Sequence, residues 1–199
     1  MSSTAPALEI HIHLEDGRIV KFAQPDATLA KKILDSIQPH RLFNQQHLII
    51  DGDYAITAFP CAAICRIDLI GEDIPDWPFP IVSNAQQIAE EEFRQRFQPE
   101  KYDAERRESA LVAGDHVIAY AETELTNSTR VFFEMDLIVQ DRSPLDQGFF
   151  ILQIFALGGL HAKRQAGGVL LINPAKIVRF AAYPGPVVTP AGAWQAHRL

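Results

Sequence analysis

The segment Leu170-Leu171-Ile172-Asn173-Pro174-Ala175-Lys176-Ile177-Val178-Arg179-Phe180 decides how the rest of the chain is read. A near-copy, Ala58-Phe59-Pro60-Cys61-Ala62-Ala63-Ile64-Cys65-Arg66-Ile67, closes the first third. Both predict strand, tight proline-containing turn, strand. With Ile64 laid on Ile177, Ala62 falls on Ala175, Arg66 on Arg179 and Ile67 on Phe180, and every second residue beyond the turn (Cys65, Ile67, Leu69; Val178, Phe180, Ala182) is small or apolar. A period of two marks a strand with one face on a core. The expected fold is α+β, mainly β: two small β-rich modules of sheet or small-barrel type, each with one short amphipathic helix and each completed separately by one of these strand pairs.

Working outward, Leu8 to Leu14 alternates strictly, and Asp16-Gly17 supplies the left-handed pair of a two-residue hairpin before Arg18 to Phe22 returns. Asp26 caps a predicted helix carrying Leu29, Ile33 and Ile37 at helical spacing, which Pro39 ends. Arg41 to Gln46 reads as loop, His47 to Ile50 as strand, and Asp51-Gly52 as a second hairpin turn. The first module covers residues 1–72. Three prolines in the next stretch make 73–82 an extended linker. The second module, 83–183, opens with a helix striped by Ile88, Phe93 and Phe97 and capped by Asn84 with Gln87, then a charged segment 100–110 expected to add a second short helix. About five antiparallel strands follow, among them the unalternating run Phe149 to Leu157, predicted to be covered on both faces. Residues 184–199 read as a loosely held tail anchored by Trp194.

Composition sets the outer bounds. The chain has 199 residues, 47% of them hydrophobic, which suits a globular core. Its longest nearly unbroken apolar run is less than half of the ~20 residues a spanning helix needs, so no membrane partner is expected. The N-terminus has neither the basic start nor the apolar stretch of an export signal, and the expected location is the cytoplasm. Cys61 and Cys65 would sit about 13 Å apart along one strand, too far to bridge, so they read as buried reduced thiols. The net charge of −7 argues against bulk attraction to nucleic acid, yet no Asp or Glu follows Asp146, while Lys163, Arg164, Lys176, Arg179 and Arg198 remain.

That local basicity frames the sharpest candidate site. Gly158-Gly159 and Gly167-Gly168 bracket His161, Lys163 and Arg164, and glycine lets backbone amides approach an anion closely. An anion-binding set of His161, Lys163, Arg164, Lys176 and Arg179 is therefore the expectation. His11 and His13 share one strand face about 7 Å apart, without a motif-linked carboxylate, and read as exposed histidines rather than metal ligands. No cofactor or catalytic motif is predicted. The second module's order, a helix then about five strands with a basic turn, is similar in outline to Sm-like small barrels, whose signature residues are not at matching positions.

Nothing in the sequence specifies a function beyond this class. The expected role is a non-enzymatic interaction or scaffold protein that self-associates through β surfaces as a homo-oligomer. The alternatives are a binder of RNA, DNA or another polyanion through the basic second module, and a small-molecule enzyme with a cleft between the modules.

Overall fold

The alternation of Leu8–Leu14 becomes strand β1, with Leu8, Ile10, Ile12 and Leu14 buried on one side and Glu9, His11 and His13 on the other. Gly17, at φ +85°, closes the turn into the antiparallel strand β2 (Ile19–Gln24). Our computed structural model describes residues 5–79, 82–97, 116–138, 153–183 and 192–194. Helix α1 (Ala27–Ser36) starts where Asp26 accepts a 2.8 Å hydrogen bond from the Leu29 amide, and it buries Ala30 and Leu34. A 3-10 turn, Pro39–Asn44, stands in most of the expected loop. Then come β3 (His47–Asp51), β4 (Ile56–Pro60), a 3-10 turn Cys61–Ala63 and β5 (Ile64–Ile70).

The second half contains β6 (Asn84–Ile88), α2 (Glu90–Arg96), β7 (His116–Leu125), β8 (Arg130–Ile138), β9 (Leu160–Lys163) and β10 (Val169–Ile172). It ends with a 3-10 turn Pro174–Lys176 and β11 (Ile177–Tyr183). Asn84 does not cap a helix. It begins β6, because pairing with the open edge of β8, from Asn84 opposite Asp136 to Ile88 opposite Phe132, occupies the backbone that a longer helix would use. Of the apolar run expected as a strand at 149–157, residues 149–152 lie outside the described residues and Gln153 to Ala156 is helical, with Ile154 buried and Phe155 exposed. A short apolar run carries no period that separates a buried strand from a one-sided helical turn. The helix expected at 100–110 lies outside the described residues. Trp194 is 96% exposed, so it anchors nothing among them.

Among the described residues, nine strands form one sheet in the order β11-β7-β8-β6-β9-β10-β5-β1-β2, and β3 pairs with β4 in a separate ribbon. The two strand-turn-strand stretches therefore do not close separate sheets, since Ile64 and Ile177 both belong to this one. What does recur is connectivity. The order β2-β1-β5 in the first half matches β8-β7-β11 in the second, and each half joins a second hairpin (β3-β4, β9-β10) to its last strand by a 3-10 turn. The likeness extends to single bonds. Leu14 N donates to Arg18 O and Gly17 N to Leu14 O, as Leu125 N donates to Thr129 O and Ser128 N to Leu125 O. Ser128, at φ 64°, fills the place of Gly17. Glu15 N binds Ala63 O at 3.0 Å, and Thr126 N binds Lys176 O at 2.9 Å. Both first-to-last strand pairings shift register beside the turn, between His13 and Leu14 and between Ile177 and Arg179.

Two cores lie on opposite faces of the shared sheet. The first gathers β1, Leu34, Phe59, Ile64, Ile67 and Leu69, with Val169 and Leu171 from the second half. The other gathers β7 and β8 residues with Leu170 and Ile172, and takes Cys65 from the first half. In the connector, Trp77 packs on the first core and Phe79 on the second. A smaller aromatic cluster holds α2, where the Phe93 ring lies 4.9 Å from that of Phe132. Both cysteines are buried and free.

Because Leu171 fills a core built mostly by the other half, Leu171→Ala is expected to cost about 2–5 kcal/mol. Urea denaturation followed by far-UV circular dichroism will show one transition moved to a lower midpoint, rather than loss of one half alone.

Candidate functional site at the seam between the halves

The halves meet where β10 lies antiparallel to β5, with Val169 opposite Leu69, Leu170 opposite Asp68, Leu171 opposite Ile67 and Ile172 opposite Arg66. Asn173 continues the ladder, its amide donating to Cys65 O at 3.0 Å. Its buried side chain then clamps the first turn: Nδ2 donates to Cys61 O (3.1 Å) and Ile64 O (2.9 Å), while Oδ1 accepts from Ala175 N (3.1 Å). One amide thus ties both copies of the turn together. Gly168, at φ +84°, enters β10 so close to β5 that a Cβ there would stand 2.1 Å from Leu69 O. At the other glycine pair, Phe43 N donates to Gly158 O and Gly158 N to His40 O, and a Cβ on Gly159 would meet Pro39 O at 2.0 Å. Gly159 and Gly168 serve backbone-to-backbone approach within the protein, and Gly158 lies against the Asn44 side chain.

Beside the seam, Asp68 is 2% exposed. Arg66 forks onto it with Nε and Nη2 at 2.7 Å each, His13 Nε2 lies at 3.2 Å and Arg164 Nε at 3.8 Å. Burial pushes the Asp68 carboxyl up, but hydrogen bonds from His13 and Arg66 outweigh it and bring the pKa to about 2. His11 faces Glu9 at 3.0 Å. Each histidine of the pair is therefore part-buried against its own carboxylate rather than exposed, and among the described residues no cluster of His, Cys, Asp and Glu is placed to hold a metal.

The five expected anion ligands do not form one patch. His161 is half-buried on β9, stacked on Phe79 at 4.3 Å, and its Nε2 donates to Trp77 O at 3.1 Å. Burial lowers its pKa, which keeps the imidazole neutral at pH 7. Lys163 pairs with Asp76 at 3.2 Å, Arg164 with Asp68, Lys176 with Glu15 at 2.8 Å and Arg179 with Glu122 at 3.0 Å. Glu122 also takes Arg130, and the hydrogen bond from Arg179 leads in lowering its pKa to about 2. The C-terminal stretch lacks acids of its own, and earlier segments supply them. An incoming polyanion would have to displace a carboxylate at each of these four cations.

An apolar cavity of about 70 Å³ lies between the sheet and the turn at Ile154 and Leu157, lined in part by Phe79, Phe133, Met135, Leu170 and Phe180. Among the described residues, His161 and Thr123 are its polar lining residues and no carboxylate lines it. It brings together no acid-base pair.

Removing the clamp with Asn173→Ala takes the side-chain donor from Ile64 O and leaves Cys61 O with the Ile64 amide alone, and is expected to lower stability by about 1–3 kcal/mol. A fall in urea midpoint at unchanged slope checks this. Asp68 and Glu122 both titrate lower in the folded protein, so they add stability above the ordinary carboxylate range that is lost as pH falls toward 2. Asp68→Asn is expected to cost about 3 kcal/mol at pH 7 by leaving the part-buried Arg66 without its countercharge. Midpoints measured at pH 7 and pH 3 will show a smaller acid loss in this variant than in the unaltered protein. No family model, curated protein or solved structure matches the chain.

Proposed function

We propose that this chain is an interaction or scaffold protein built of two related modules, and that it works by associating with further copies of itself through its strands. One observation carries the reading: strands with one edge unpaired among the described residues present large apolar side chains to solvent, Ile49 and Ile56 on the β3-β4 ribbon and Val178 on β11. An unpaired strand is a template for another chain, and proteins that stay single usually blunt it with charge or cover it. Here apolar residues stand on the exposed strands. Cations that could have served a polyanion are engaged with carboxylates, which leaves the strands as the better-supported contact surface.

Multi-angle light scattering across a micromolar concentration series tests the reading. The expected mass is a multiple of 22.2 kDa that rises with concentration. A mass of one chain throughout the series would refute it.

A further inference from the structure

The repeated connectivity makes the internal seam a template for an external one. Shifting residue numbers by the separation of Ile64 and Ile177 lays β4 (Ile56–Pro60) on Val169–Asn173, and β5 on β11. Within the chain, β10 of the second half pairs with β5 of the first. Their counterparts, β4 and β11, are left over: β11 ends the nine-stranded sheet, and β4 has β3 on one side and no strand on the other among the described residues. We propose that β4 of one copy adds antiparallel to β11 of a second copy, repeating the seam between chains. This rests on the self-association reading and specifies its contact.

Exposure supports the assignment residue by residue. Val169 is 6% exposed because it enters the core of the opposite half, and its counterpart Ile56 is 73% exposed. Cys65 is fully buried because β10 brings the other core over it, and its counterpart Val178 is 59% exposed. The residues left in water are those that the internal seam covers at the matching positions. Backbone polarity agrees. Cys61 N donates to Gln46 O, so by alternation Phe59 and Thr57 turn their amides to β3, while Ile56 and Ala58 point theirs outward. Cys65 offers its carbonyl to β10, and the counterparts Val178, Phe180 and Ala182 offer theirs to the free side of β11.

Carrying over the register places Ile56 opposite Ala182, Thr57 opposite Ala181 and Ala58 opposite Phe180. One element is missing: Pro60 stands where Asn173 clamps the internal seam, without an amide N–H or a side-chain donor. The external joint is therefore a weaker version of the internal one. Since β4 and β11 are different surfaces, the contact is head-to-tail and propagates into a ring or an open filament.

The test is a double variant, Thr57→Cys with Ala181→Cys, oxidised in solution and run on a non-reducing gel. Directly opposed strand residues lie about 4.5–5.5 Å apart at Cα, within disulfide reach, whereas a partner two residues along does not. The expected result is a ladder of linked chains that reduction collapses, with at least about tenfold less linking for Thr57→Cys with Tyr183→Cys. Ala58→Pro removes an outward amide while leaving the bonds to β3, and Val178→Lys charges an already exposed site. Each is expected to weaken association by about tenfold, equivalent to roughly 1.4 kcal/mol, with unchanged circular dichroism. If scattering shows assembly but neither the ladder nor the two variants respond, this contact is wrong while self-association stands. If the unaltered protein remains a single chain, both fall.

Discussion

The whole architecture depends on β10 being buried on both faces while it pairs with β5. Its four residues alternate between the two cores, so the strand that completes the first half comes from the second, and Cys65 returns the exchange. Hydrophobic burial is non-directional. Direction comes from Asn173, whose side-chain amide fixes the register by binding the Cys61 and Ile64 carbonyls at the first 3-10 turn. Slipping the register by one residue would put each of the four apolar side chains on the wrong face and tear that side chain from its acceptors.

Around this joint the polar groups are settled locally. Asp68 carries Arg66, His13 and Arg164 beside the seam, and Glu122 carries Arg130 and Arg179 on the neighbouring strands. Pairing of this kind costs desolvation and returns it only when every partner is present. It orders the faces of the sheet more than it strengthens them. The apolar cavity near His161 is small and lined mostly by aliphatic side chains, with Phe79 stacked on the imidazole.

Much of the local structure was legible. Alternation gave β1, the Asp-Gly pair gave the first hairpin, Asp26 gave the start of α1, and the resemblance between 58–67 and 170–180 marked a genuine recurrence of connectivity. Pairing partners were not legible, because period says which face of a strand is buried and nothing about its neighbour. Hence two expected closures became one sheet, and Asn84 became a strand residue once β8 offered it an edge. The candidate anion site looked basic because the linear sequence separates Lys176 from Glu15 and Arg179 from Glu122, residues that the fold places within 3.0 Å. Asn173 lay inside the motif that was read first, and no pattern distinguishes a turn asparagine that binds its own backbone from one that reaches across a hundred residues.

That reach sets an order of events during synthesis. The first core waits for Val169 and Leu171, which leave the ribosome about a hundred residues after β5, a delay of roughly 5–20 s at ordinary elongation rates. Throughout that interval the nascent β5 offers an open ladder and a half-filled hydrophobic face. A second nascent chain on the same message presents its own β4 at just that time. Partial synthesis is thus the stage at which the first half lacks the strand that fills its core.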